Sequence, residues 1–230
     1  MTRVIAHRGA SAAAPENTVE AFELARELGA DWVELDVRRT ADGRLAVHHD
    51  PVLADGRTIV DLTWDDLPEQ VCDLPAALDA FAGMKVNIEI KNAPEDPDFD
   101  ESFTLAEQVV KEIQSRGSHQ EVLVSCFHLP TLDRVVELDA EVPTAFLHMI
   151  VDQTWAELAP TVADRGHQAL HPWFGLVDAS MMDAARGAGL EVNAWTVNDP
   201  DHMVALLDLG VHGLCTDLPD VARRVVDSRT

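Results

Sequence analysis

Short apolar runs of strand length alternate with amphipathic stretches of helical period along the 230 residues. The strand candidates are RVIAHR, DWVELDV, RLAVHHD, KVNIEIK, EVLVSCF, PTAFLHM, ALHPW, LEVNAWTV and HGLCTD. Most are separated by helical stretches, among them TVEAFELARELG, FTLAEQVVKEIQSRG and PDHMVALLDLG. Several of these close near a glycine (Gly29, Gly83, Gly117, Gly166, Gly189, Gly210), a helix-stop signal. Asn17, with Glu20 three residues on, has the form of a capping pair for the first helix. The second and third strand candidates are joined instead by RRTADGR, where Asp42-Gly43 predicts a tight hairpin. With RLAVHHD set aside as a hairpin excursion, eight strand units remain, each followed by a helix. That count predicts an α/β fold, a closed (β/α)8 TIM barrel formed by residues 1–230 as one domain. An open doubly wound sheet is the competing architecture. It usually brings a glycine-rich dinucleotide loop, and no GxGxxG occurs here.

The charge narrows the range of partners. There are 17 basic and 41 acidic residues, a formal net charge of −24. Generic binding to nucleic acid or to anionic membranes is therefore not expected, and most of the excess acid reads as a solvated surface. An anionic substrate would need a local positive centre. No run is long enough for a membrane span, so no stable membrane insertion is expected. MTRVIAHRG shows neither the apolar run nor the cleavage site of a signal peptide. The three cysteines, Cys72, Cys126 and Cys215, form no CxxC and fit a reducing, cytoplasmic setting, with Cys126 and Cys215 read as core. NAPEDPDFD at 92–100 reads as a mobile acidic loop, and 51–74 as a second irregular stretch. The sequence does not set the oligomeric state.

In DWVELDV, Val33, Leu35 and Val37 alternate with Glu34 and Asp36; in NIEIK, Ile88 and Ile90 alternate with Asn87, Glu89 and Lys91. Either strand alone reads as an exposed acidic face, because charged side chains are mostly exposed. In a barrel the apolar set faces the helices, and Glu34, Asp36 and Glu89 point inward near the C-terminal mouth. Carboxylates held that close repel unless protons or a cation neutralise them, and a hard cation such as Mg2+ or Ca2+ suits oxygen ligands. His7 ends the first strand and His49 the hairpin strand. Two imidazoles can take and give a proton in one cycle. Arg8 and Lys91 add positive charge suited to a phosphate.

These residues carry a resemblance. HRGASAAAPENTVEAFELARELGADWVELDVRRTADGRLAVHHD is similar to the N-terminal signature of the glycerophosphodiester phosphodiesterase family, with EIK, SCF, WTVN and GLCTDLP following in order. The resemblance implies a TIM barrel that uses a divalent cation to hydrolyse a small glycerophosphodiester to an alcohol and glycerol 3-phosphate. By motif, Glu34, Asp36 and Glu89 fall on metal-ligand positions, His7 and His49 on the acid–base pair, and Arg8 and Lys91 on phosphate contacts. Trp195 falls on the position that packs against glycerol. One histidine would activate the nucleophile, the substrate's own hydroxyl being one choice, which gives a cyclic phosphate first. Two departures stand out: His212 replaces the usual Asp or Asn of the last motif, and the stretch after His49 is short. Of the adjacent pair, strand alternation admits one, and the motif register selects His49 over His48. His128, His148 and His171 are read as structural or rim residues, and Asp217 as a brace for the last loop. Competing readings are a lysophospholipase D-like or cyclising phospholipase, a glycosidase using Glu34 and Glu89, and a non-catalytic phosphodiester-binding barrel.

Overall fold

A computed structural model describes residues 2–81, 83–149 and 153–229. Eight parallel strands close on themselves: β1 (Arg3–Ala6), β2 (Trp32–Arg39), β4 (Lys85–Ile90), β5 (Val122–Cys126), β6 (Thr144–His148), β7 (Ala169–Pro172), β8 (Glu191–Ala194) and β9 (Gly213–Thr216). β1 pairs with both β2 and β9, which closes the barrel. β3 (Leu45–Val47) is the hairpin excursion, antiparallel to β2 through Val37↔Val47 and Arg39↔Leu45. Gly43, at φ 82°, takes the left-handed turn position that Asp42-Gly43 announced. The helices α1 (Val19–Glu27), α2 (Leu74–Ala80), α3 (Thr104–Arg116), α4 (Leu129–Leu138), α5 (Trp155–Asp164), α6 (Ala179–Ala188), α7 (Pro200–Leu209) and α8 (Pro219–Asp227) form the outer ring. The TIM-barrel reading holds.

Period-two alternation sorts the strands into two faces. Val33, Leu35, Val37, Ile88, Ile90, Val122 and Val124 lie outward in the main core shared with helix residues such as Phe22, Val109 and Leu132. Inside, the N-terminal end of the barrel is plugged by Leu123, Ala145 and Ala169 with Trp32 packed on them. The excursion after β3 carries its own small cluster of Ala46, Leu53 and Ile59. No helix among the described residues is long and apolar enough to cross a membrane.

Two expectations need correction. The N-cap of α1 is Thr18, whose side chain accepts from the Ala21 N–H; Asn17 sits one position earlier with φ 58° and turns inward. The acidic stretch 92–100 is also tied down rather than loose: Arg38 holds Asp96 and Asp98, and Asn92 Oδ1 accepts from the Asp100 N–H at 2.7 Å. A buried guanidinium with two carboxylates in reach anchors the Pro-rich acidic string to the barrel.

Candidate active site

The site lies at the C-terminal mouth of the barrel, in a cavity of ≈ 270 Å³. His7, Arg8, Glu34, His49, Glu89, Lys91 and Trp195 all line it. The parallel register of β2 and β4 sets the acidic wall, with Glu34 beside Asn87 and Asp36 beside Glu89. One carboxylate oxygen from each of Glu34, Asp36 and Glu89 lies within 4.8 Å of the others. All three side chains are buried.

Two cations face these three acids. Lys91 Nζ donates to Glu89 Oε1 at 2.7 Å and stands 3.5 Å from Asp36 Oδ1. Arg8 Nε stands 3.2 Å from Asp36 Oδ2. Burial opposes the charge on Asp36, but Lys91 and Arg8 outweigh it and hold its carboxyl below the usual range. Glu34 is left with the uncompensated charge. Burial first, then Asp36 and Glu89, push its carboxyl up to about 8. Its Oε2 accepts from the Arg8 N–H at 2.8 Å, while its buried Oε1 has no hydrogen-bond partner among the described residues. An orphaned carboxylate oxygen among three converging acids is the donor set of a hard divalent cation, so the residues fit one.

The turn after β1 explains the Arg8–Glu34 contact. Arg8 and Gly9 both have positive φ, 55° and 82°. A Cβ at Gly9 would meet the Ala21 backbone at 2.7 Å, so only glycine lets the chain pass α1 this closely. The turn aims the Arg8 N–H at Glu34 and its guanidinium at Asp36 and Glu16. Asn17 completes the bracket: its Nδ2 donates to Asp36 Oδ2 at 2.8 Å.

Each histidine rests on an aspartate. His7 Nδ1 lies 2.7 Å from Asp217 Oδ1, and His49 Nδ1 lies 2.7 Å from Asp50 Oδ1. An ionised carboxylate only accepts, so both Nδ1 atoms carry the proton and both Nε2 atoms are the proton-exchanging positions. Burial disfavours His7's charge, yet the Asp217 hydrogen bond and Glu34 raise its pKa overall. Asp217 is more than the loop brace the sequence suggested. It also accepts from Ser11 Oγ and Asn198 Nδ2; against burial, His7 first and then these two bonds hold its carboxyl down at about 2. His48 instead turns its Nδ1 to the Asp50 carbonyl and lines a separate groove.

The rest of the lining mixes apolar side chains with the polar Asn87, His171 and Asn193. Phe127 meets Trp195 edge-on at 5.5 Å, and Leu147 and Met149 line the cavity beside them. Trp195 Nε1 donates to the His171 carbonyl at 2.6 Å, which fixes the indole plane. His171 is buried, which pushes its pKa down to about 3 and keeps it neutral; its ring bonds Asn193.

The chain matches the family model described as "Glycerophosphoryl diester phosphodiesterase family" over residues 7–221. It is 31% identical to a glycerophosphodiester phosphodiesterase of Bacillus altitudinis, covering 98% of both chains. An Oleispira antarctica phosphodiesterase solved with its product sn-glycerol-3-phosphate superposes with a TM-score of 0.85 at 25% identity, over 99% of this chain and 97% of that one. A Thermotoga maritima glycerophosphodiester phosphodiesterase does so with a TM-score of 0.83 at 26% identity, over 98% of both. On matches that run from the histidine after β1 to the last helix, the chain belongs to the glycerophosphoryl diester phosphodiesterase family and is a phosphodiesterase of that family.

Proposed function

We propose that the chain hydrolyses small glycerophosphodiesters to an alcohol and glycerol 3-phosphate with a divalent cation, Mg2+ or Ca2+, and that His7 and His49 exchange the protons. The observation that carries this reading is the Oε1 of buried Glu34, without a hydrogen-bond partner among the described residues and set beside Asp36 and Glu89. Those three residues would hold the cation, which when bound supplies a positive charge to offset the phosphate oxygens. Arg8 and Lys91 add fixed cations on the same side, where charge builds during cleavage. Trp195 and Phe127 form the wall against which the glycerol carbons would pack.

The histidines divide the proton work. One Nε2 takes the proton of the attacking hydroxyl, either water or the substrate's own glycerol hydroxyl, the latter giving a cyclic phosphate. The other Nε2 protonates the departing alcohol oxygen, and the roles reverse when water opens the cycle. Asp217 and Asp50 hold the rings in the required tautomer. Single His7→Ala and His49→Ala variants are expected to lose about 10²–10⁴-fold in kcat on glycerophosphocholine. Near-native turnover in either would remove that histidine from the mechanism. A lysophospholipase D-like activity is the second reading, favoured by the exposed apolar rim residues Met149 and Trp173. Products from lysophosphatidylcholine and glycerophosphocholine, compared side by side, separate the two.

A further inference from the structure

Arg38 is the next inward position on β2 after Glu34 and Asp36, and its side chain is 2% exposed. Its Nη1 donates to both oxygens of Asp98 at 2.7 Å, and its Nη2 to Asp96 Oδ2 at 3.0 Å. Its Nε donates to the backbone carbonyl of His49 at 2.7 Å. One guanidinium thus joins the end of β2, the segment carrying His49, and the loop that follows Lys91. Asp98 is itself 5% exposed, so this is a buried charge pair.

A buried ion pair is a poor means of gaining stability, because desolvation offsets most of the attraction and an apolar side chain of similar size does as well. A planar fork of donors, however, fixes direction in a way that an apolar side chain cannot. The fork here is spent on the backbone of a candidate acid–base residue whose ring, in turn, bonds its exposed neighbour Asp50.

We propose that Arg38 is a positioning residue for His49, with Asp98 and Asp96 anchoring its guanidinium. This rests on the acid–base role of His49 above. Arg38→Met removes the whole fork. Arg38→Lys keeps a cation for Asp98 but cannot serve Asp98, Asp96 and the His49 carbonyl together. Asp98→Asn keeps the shape and weakens the anchor.

The test is a double-mutant cycle on glycerophosphocholine, read as released glycerol 3-phosphate, because its alcohol leaving group needs the general acid as well as the general base. Circular dichroism first selects the folded variants; the Lys or Asn substitution replaces the Met one if it does not fold. In the wild-type background the selected variant is expected to lower kcat about tenfold or more with KM within about twofold. In the His49→Ala background the same substitution is expected to change kcat less than about twofold, because the group it positions is gone. An equal loss in both backgrounds would overturn the proposal and leave Arg38 a general support of the fold. Native turnover in His49→Ala alone would instead sink the acid–base reading of His49, and the positioning role with it.

Discussion

Glu34, buried beside two other carboxyls, sets a measurable linkage. In the folded, cation-free protein its carboxyl holds its proton up to about pH 8, against an ordinary value of 4.5. Between those values the folded state binds more protons than the unfolded chain. Stability of the cation-free protein therefore falls as pH rises from 4.5 towards about 8. Cation uptake at about pH 7 should expel close to one proton, and at about pH 9 nearly none. Calorimetry in two buffers of different ionisation enthalpy reads this directly, and equal heats in both at pH 7 would contradict it. Asp217 gives the opposite sign. Its pKa is depressed to about 2 from 3.8, so its contribution is present above 3.8 and is lost as pH falls towards 2. Asp217→Asn should cut kcat by about 10²-fold or more, because a neutral amide no longer favours the His7 imidazolium and can turn its NH2 to Nδ1, which selects the wrong tautomer. A steady-state assay with unchanged KM would locate the loss in the proton step.

The strands and helices were legible because each obeys one local rule. β2 and β4 alternate strictly, so the inward set of Glu34, Asp36 and Glu89 followed from period two once a barrel was assumed. The residues that escaped sequence reading act across the chain. Asp217 meets His7 over a separation of 210 residues, and Arg38 meets Asp98 over 60. No local pattern encodes either partner. Asn17 was misread for a related reason: Thr18 competed for the same cap and took it, freeing Asn17 to hold Asp36. Some local signals were present but ambiguous, such as an arginine at an inward position of β2 followed by an acidic, Pro-rich loop. Breaking the Arg38–Asp98 pair by Arg38→Met should destabilise the protein by about 3–5 kcal/mol, since it leaves a buried carboxylate unpaired. Urea unfolding checks this, and a loss under about 1 kcal/mol would mean that Asp98 finds water or another donor. Gly9→Ala should also destabilise by more than about 1 kcal/mol, because its φ of 82° and the 2.7 Å approach to Ala21 exclude a Cβ.

Across the whole molecule, a net charge of −24 surrounds a mouth whose fixed cations are Arg8 and Lys91, with Arg38 paired beneath the loop. Arg8 and Lys91 line the mouth where an anionic diester would bind, while many of the other basic side chains, such as Arg116, Arg134, Arg186 and Arg224, pair with carboxylates on the helices. Self-repulsion at low ionic strength should lower Tm, and added NaCl should recover about 2–4 °C for each 1 kcal/mol of repulsion screened. A divalent cation should add a further, saturable rise that Glu34→Ala abolishes, which separates site binding from screening. On the proposed reading, the Glu34–Asp36–Glu89 wall holds a cation on which diester cleavage depends. The most direct measurement is release of glycerol 3-phosphate from glycerophosphocholine with Mg2+, with Ca2+ and with EDTA, beside the Glu34→Ala, Asp36→Ala double variant. Turnover that requires a divalent cation and is lost in the folded double variant is the predicted result. Turnover that persists at full rate in EDTA, or in the double variant, would contradict it.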